Sequence, residues 1–214
     1  CYRGGRWGFV KLHLVRHGET EWNKLGRFQG QQDIALNPRG LAQAKETARA
    51  MADHGVIALY SSPLQRTMQV ANEISRLTSV PVVPLPGVKE LNLGELEGVT
   101  GEEMRTIWPD VYSAWSQDPG TLSMPKGESL SQLQDRAWRS LQEVEKAHSG
   151  DDVIVVVSHN FAIRTMIHKV LGLPLTNFHR LSLDLSSVST VEYTSRGRRL
   201  TCYNFTGHLS PENR

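Results

Sequence analysis

Apolar positions along the chain recur with two periods, one of strands and one of helices. Val10 to Val15 is an apolar run of strand length that stops abruptly at Arg16-His17-Gly18. Asn37-Pro38 sets an N-cap before proline at the first helical position, and Leu41, Ala44, Ala48 and Met51 follow at helical spacing. Ile57 to Ser61 reads as a second strand. Ser62-Pro63 predicts the next helix start, with Gln65 completing a capping box and Leu64, Met68, Ala71, Ile74 and Leu77 facing inward. Val80 to Gly87, with prolines at 81, 84 and 86, reads as an extended crossing. Ser129 and Gln132 form another capping box ahead of a helix carrying Leu130, Leu133, Ala137, Leu141 and Val144. Asp152 to Ser158 is apolar on both faces, as a central parallel strand should be. It ends in His159-Asn160, and the helix beginning at Phe161 is closed by Gly172 and Pro174. Ser187 to Tyr193 and Arg199 to Phe205 read as a hairpin at a sheet edge.

Strands alternating with helices predict a three-layer α/β/α fold with a mainly parallel sheet and an antiparallel edge. The expected organisation is a single domain over residues 10–209, with tails at 1–9 and 210–214. Residues 1–8 read as a tail or an expression remnant. Over residues 100–128 the pattern loosens, and Trp108, Tyr112, Trp115, Leu122 and Met124 are expected in a small helical insert lying over the crevice.

Composition narrows the class. With 214 residues and 39% hydrophobic content, the chain can bury a sizeable core. A net charge of +2 and scattered basic residues argue against a nucleic-acid partner. Two cysteines argue against a disulfide scaffold, and no apolar run reaches the roughly 20 residues of a membrane span. A cytoplasmic location without membrane association is the expectation; a homodimer is left open.

In parallel sheets the ligand crevice lies beyond the carboxyl ends of the strands, so the residues delivered there carry the chemistry. Arg16 offers a planar fork matched to phosphoryl oxygens. His17 can be a nucleophile if its other ring nitrogen is held. Arg66 sits in a first helical turn, beside free backbone donors. His159 is delivered by a third strand end. Singly, a strand-end histidine or a helix arginine is usually structural; three junctions that each present a phosphate-suited residue point to one anion site. The loop from Gly26 to Asp33 can wrap a small ligand. Among Glu90, Glu95 and Glu97, the last two read as structural. His13, His54, His148, His168, His179 and His208 read as ordinary polar residues.

Arg16-His17-Gly18-Glu19-Thr20 followed by Trp22-Asn23 resembles the signature of the histidine phosphatases, the phosphoglycerate mutase-like superfamily. Ser61 to Thr67 resembles its second motif and Ser158-His159-Asn160 its last, so the likeness extends over about residues 10–209. The resemblance implies that His17 takes the phosphoryl group while Arg16, Arg66 and a protonated His159 hold its oxygens. It implies that Glu90 donates the proton to the leaving alkoxide and then activates water. Asn23, Gln29, Gly30 and Asn160 are the implied substrate contacts, with Trp108 and Trp115 of the insert shaping selectivity. No cofactor and no metal are implied.

The implied activity is metal-independent hydrolysis of a small phosphorylated metabolite through a phosphohistidine, as in α-ribazole phosphatases and broad-specificity phosphatases. A cofactor-dependent phosphoglycerate mutase and a non-catalytic phospho-ligand module are the alternatives. Mutases of the family read His-Gly-Asn where this chain has His159-Asn160-Phe161, and they carry a longer stretch before it, which favours hydrolysis. A metal held by His17, His159 and Glu90 is opposed by the flanking arginines.

Overall fold

The computed structural model describes residues 9–214. The expected tail at 1–8 lies outside the described residues.

The sheet is built from β1 (Val10–Arg16), β2 (Ala58–Ser61), β3 (Val82–Pro84), β4 (Val153–Ser158), β5 (Val188–Thr194) and β6 (Gly197–Phe205), in the order β3-β2-β4-β1-β5-β6. β3, β2, β4 and β1 run parallel; β5 and β6 form the antiparallel edge. The period of two sorts the strand residues onto two cores. Leu12, Leu14, Ile154 and Val156 pack against α6 (Leu130–Lys146) and α7 (Asn160–Leu171). Val15, Val155 and Val157 pack against α2 (Pro38–Ala52) and α3 (Gln65–Thr78). Each fully buried leucine or isoleucine contributes about 1.5–3 kcal/mol. Three layers follow directly from this alternation.

Register sets the site. Arg16 pairs with Ser158 across β1 and β4, and Ser61 pairs with Val157 across β2 and β4. The strands therefore end together, and the residues that follow them meet at one edge.

Several local expectations are corrected. The helix after β2 begins at Gln65 without a side-chain cap from its own N-cap, Leu64. Asp33 caps it from across the loop, accepting the Gln65 N–H at 2.7 Å, because the Ser62 hydroxyl lies 2.7 Å from a ring nitrogen of His159. Leu41 and Leu77 are exposed. On α2 the inward stripe is Gly40, Gln43, Ala44, Thr47, Ala48 and Met51. It is turned that way because a Cβ on Gly40 would lie 2.0 Å from the Glu19 carbonyl, so bare backbone must face that loop. The tail at 210–214 packs on α2: Ser210 and Asn213 hydrogen-bond Glu46, and Gln43 donates to the Asn213 carbonyl at 2.7 Å. His13 and His168 are buried core residues, His13 bonded to Thr190 and His168 stacked on Phe178.

The insert forms α4 (Gly101–Ile107) and α5 (Pro109–Gln117), α4 opened by a Thr100–Glu103 capping box. α1 (Glu21–Lys24) is a single turn capped by Thr20. No helix among the described residues is long and apolar enough to cross a membrane.

Candidate active site

The chain after β1 presents His17, 2% exposed, with Nδ1 2.7 Å from the Gly18 carbonyl. That bond assigns the ring proton to Nδ1 and leaves the Nε2 lone pair free. A Cβ on Gly18 would lie 2.8 Å from the Gly40 carbonyl, so glycine lets this turn sit on α2. Burial, then the charges of Arg66 and Arg16, push the imidazolium form of His17 well below its ordinary pKa. A neutral nucleophile results.

Arg66 is fully buried on the first turn of α3. It donates from Nη2 to the Gly30 carbonyl (2.7 Å), from Nη1 to the Gln32 carbonyl (2.7 Å) and from Nε to His159 Nδ1 (3.2 Å). Of its five N–H groups, two are left over for a ligand. Burial lowers its pKa to about 10, against the attraction of Glu90, Asp33 and Glu97, and that of Arg16 falls likewise to about 10. Both stay charged at neutral pH. Arg16 donates to the Leu183 carbonyl and keeps a buried Nε without a partner.

His159 stands behind this pair, its ring centroid 5.3 Å from that of His17. Nδ1 accepts from Arg66 and Nε2 meets Ser62, so both nitrogens are engaged by the protein. Burial, then Arg66 and His17, hold it well below the ordinary histidine range. Burial is the largest cause and the charge of Arg66 the next, and both disfavour the protonated His159 that the resemblance implies.

Glu90 is 7% exposed and lies at the N-terminus of α7, a helix whose N-cap, His159, supplies no side-chain cap. Its carboxylate accepts from the backbone N–H groups of Phe161 and Ala162 at 3.2 Å and from its neighbour Leu91 at 2.9 Å. Orphan helix donors are met by a carboxylate brought from another segment.

Arg16, His17, Arg66 and Glu90 line a small pocket of about 90 Å³ together with Asn23, Gln29, Gly30 and Asn160, whereas His159 lies behind its wall. Asn23 and Gln29 are tied into the loop: Asn23 Oδ1 accepts the Thr20 N–H at 3.1 Å, and Gln29 Oε1 accepts the Thr20 hydroxyl at 2.8 Å. Gly30 has φ +53°, and a Cβ there would lie 2.2 Å from Glu97. Asn160 Oδ1 is buried without a partner.

Neither tryptophan lines this pocket. Trp108 joins α4 to α5 and packs on the core, away from the pocket wall. Trp115 lines the adjoining cavity, which shares Phe28, Leu93 and Phe161 with the pocket, and its ring lies 5.5 Å from that of Phe161. Arg27, Phe28 and Leu93 also line the pocket, the first two from the loop expected to wrap a ligand though neither was named as a contact. Arg27 could have been suspected from its place in the loop; Leu93, an isolated leucine beside a glycine, carries no local signal. Ser62 was read as a cap and is instead the partner of His159.

The arrangement can take a phosphoryl group: two guanidinium cations, a neutral nitrogen nucleophile and a carboxyl at one small cavity. Residues 12–206 match the model of the histidine phosphatase superfamily (branch 1). The chain is 36% identical to phosphoserine phosphatase 1 of Hydrogenobacter thermophilus over 94% of both chains. It is 38% identical to a metal-independent phosphoserine phosphatase of Arabidopsis thaliana over 75% of this chain and 68% of the relative. A phosphoserine phosphatase variant of Entamoeba histolytica solved with phosphoserine superposes with TM-score 0.80 at 32% identity, covering 94% of this chain and all of that one. Relatives named as probable phosphoglycerate mutases also match, at 34% identity. With its signature carried at the ends of β1, β2 and β4, the chain belongs to the histidine phosphatase superfamily and is a phosphomonoester hydrolase of that family.

Proposed function

We propose that the chain hydrolyses a small alkyl phosphate of the phosphoserine class, without a metal, through a phosphohistidine on His17. One observation carries the reading: the His17 ring has Nδ1 tied to the Gly18 carbonyl, with Arg16, Arg66 and Glu90 around the same pocket. Substrate class is supported by the phosphoserine phosphatases among the relatives and by the small cavity.

Arg16 and Arg66 supply the positive charge that holds the phosphoryl oxygens, with Asn23, Gln29 and Gly30 shaping the pocket and Asn160 offering an unpaired polar atom. His17 Nε2 attacks phosphorus in line; the N–P bond forms as the ester P–O bond breaks. Glu90 gives its proton to the departing alkoxide. Water then attacks the phosphohistidine, returns a proton to Glu90, and the N–P bond breaks to free phosphate and His17. His159 acts from behind, its Nδ1 holding the Arg66 guanidinium in place.

The test is phosphate release in a chelator from phosphoserine, 3-phosphoglycerate, a sugar phosphate, α-ribazole phosphate and an aryl phosphate, with His17→Ala alongside. Release from phosphoserine that needs His17 is expected. Loss of activity in chelator would overturn the metal-free reading, and preference for another ester would overturn the substrate class. The match to probable phosphoglycerate mutases gives a second reading, that phosphoglycerate is isomerised rather than hydrolysed.

A further inference from the structure

Glu90 is held from two sides. Its carboxylate is fixed by the amides of α7, and its backbone is fixed from α6. Arg136, on the second turn of α6, donates from Nη1 to the carbonyls of Gly87 and Lys89, each at 2.8 Å, and from Nη2 to the carbonyl of Glu90 at 2.7 Å. The same guanidinium meets Glu128 at 2.7 and 2.8 Å through Nε and Nη2. Glu128 in turn accepts the Asn92 N–H at 2.9 Å, while its own N–H donates to the Asn92 carbonyl at 2.8 Å. The 3-10 turn Pro86–Val88 and α6 are in such close contact at Gly87 that a Cβ would lie 1.9 Å from the Ser140 hydroxyl.

We propose that Arg136 and Glu128 are positioning residues that set the Glu90 carboxyl on the leaving oxygen; the proposal rests on Glu90 being the proton donor. Arg136 grips the residues just before the carboxyl and Glu128 those just after it, so the acid is delivered by a clamped hexapeptide, residues 87–92. Lysine cannot replace the fork: one ammonium on a flexible stem cannot meet three carbonyls and a carboxylate lying in different directions. A misplacement of about 1 Å at a reacting group can cost on the order of 10²-fold, so such a clamp acts on rate without touching substrate.

A clamp that served only the fold would slow every substrate alike. Misplacing a general acid slows esters whose leaving alkoxide needs a proton and spares those that leave readily as anions. The experiment measures kcat/KM, which reports only the steps up to alcohol release, for the best alkyl phosphate of the panel and for p-nitrophenyl phosphate. Arg136→Lys, Glu128→Gln and Glu90→Gln are compared, each checked for folding by circular dichroism. Arg136→Lys or Glu128→Gln is expected to lower the alkyl value by about tenfold or more while the aryl value changes by less than about threefold. A parallel fall on both esters, or no fall on either, would overturn the positioning role. If Glu90→Gln itself failed to discriminate between the esters, the reading of Glu90 would be the one at fault.

Discussion

The Arg66 Nε–H points at His159 Nδ1 from 3.2 Å, so one ring nitrogen of the second histidine accepts from the arginine that faces the ligand. The other nitrogen must then carry the proton, and Ser62 Oγ, 2.7 Å away, accepts it. A chain of Ser62, His159 and Arg66 therefore aims the guanidinium. Ser62→Ala should leave the sheet intact, cost about 1–2 kcal/mol in urea unfolding, and lower kcat/KM. Arg66→Met should lower kcat/KM by about 10²–10³-fold, as loss of one preorganised charge contact does. Steady-state kinetics on the two variants checks both, and an unchanged rate in Arg66→Met would remove this arginine from phosphoryl binding.

The depressed pKa of His17 fixes the sign of the pH dependence. Its active form is the neutral one, so kcat/KM should hold as pH falls through 6.5 and drop only well below, where the imidazolium finally forms. A pH–rate profile with an acid limb at the ordinary histidine value would contradict this environment.

Stability follows the same logic at His13, which burial, then His54 and Lys11, lower to about 4. The unfolded chain takes up a proton near pH 6.5 and the folded chain does not. The stabilisation is therefore complete above pH 6.5 and lost progressively as pH falls towards 4. His17 and His159 add to the trend in the same direction. Thermal melts from pH 7.5 to 4.5 should show a falling midpoint, and His13→Gln should flatten the fall.

Gly30 combines a left-handed backbone with a carbonyl that anchors Arg66. Gly30→Ala would drive a Cβ into Glu97, whose carboxylate also holds Gln31 and Gln32. A loss of about 1–3 kcal/mol is expected, together with weaker binding of inorganic phosphate. Normal phosphate inhibition in a destabilised variant would separate the loop from the arginine.

Trp115 and Trp108 should part company. Trp115→Ala removes the support behind Phe161 and is expected to change KM between small and bulky esters, whereas Trp108→Ala should lower the melting temperature with the ester preference kept. The substrate panel applied to both variants decides.

Much of the fold was legible because the signals were local. The apolar runs at Val10 and Val153 gave strands, Asn37-Pro38 gave α2, and the capping box at Ser129 gave α6. Arg16, His17, Arg66 and His159 were legible as a group because each follows or opens at a strand end. What stayed hidden depends on contacts across the chain. Ser62 has the residue type and spacing of a cap, and only the fold shows its hydroxyl at His159. Asp33 caps a helix that begins 32 residues later. Trp108 and Trp115 share an insert and differ only in how α4 and α5 turn, which aromatic spacing does not encode.

The carboxylate of Glu90 also holds the first amides of α7. In the proposed reaction this helix end gains an anionic lid as Glu90 gives up its proton and loses it as water returns one, once in each catalytic cycle. The amide protons of Phe161 and Ala162 are thus built-in reporters of turnover, and their nuclear magnetic resonance shifts should separate the resting enzyme from the phosphorylated one.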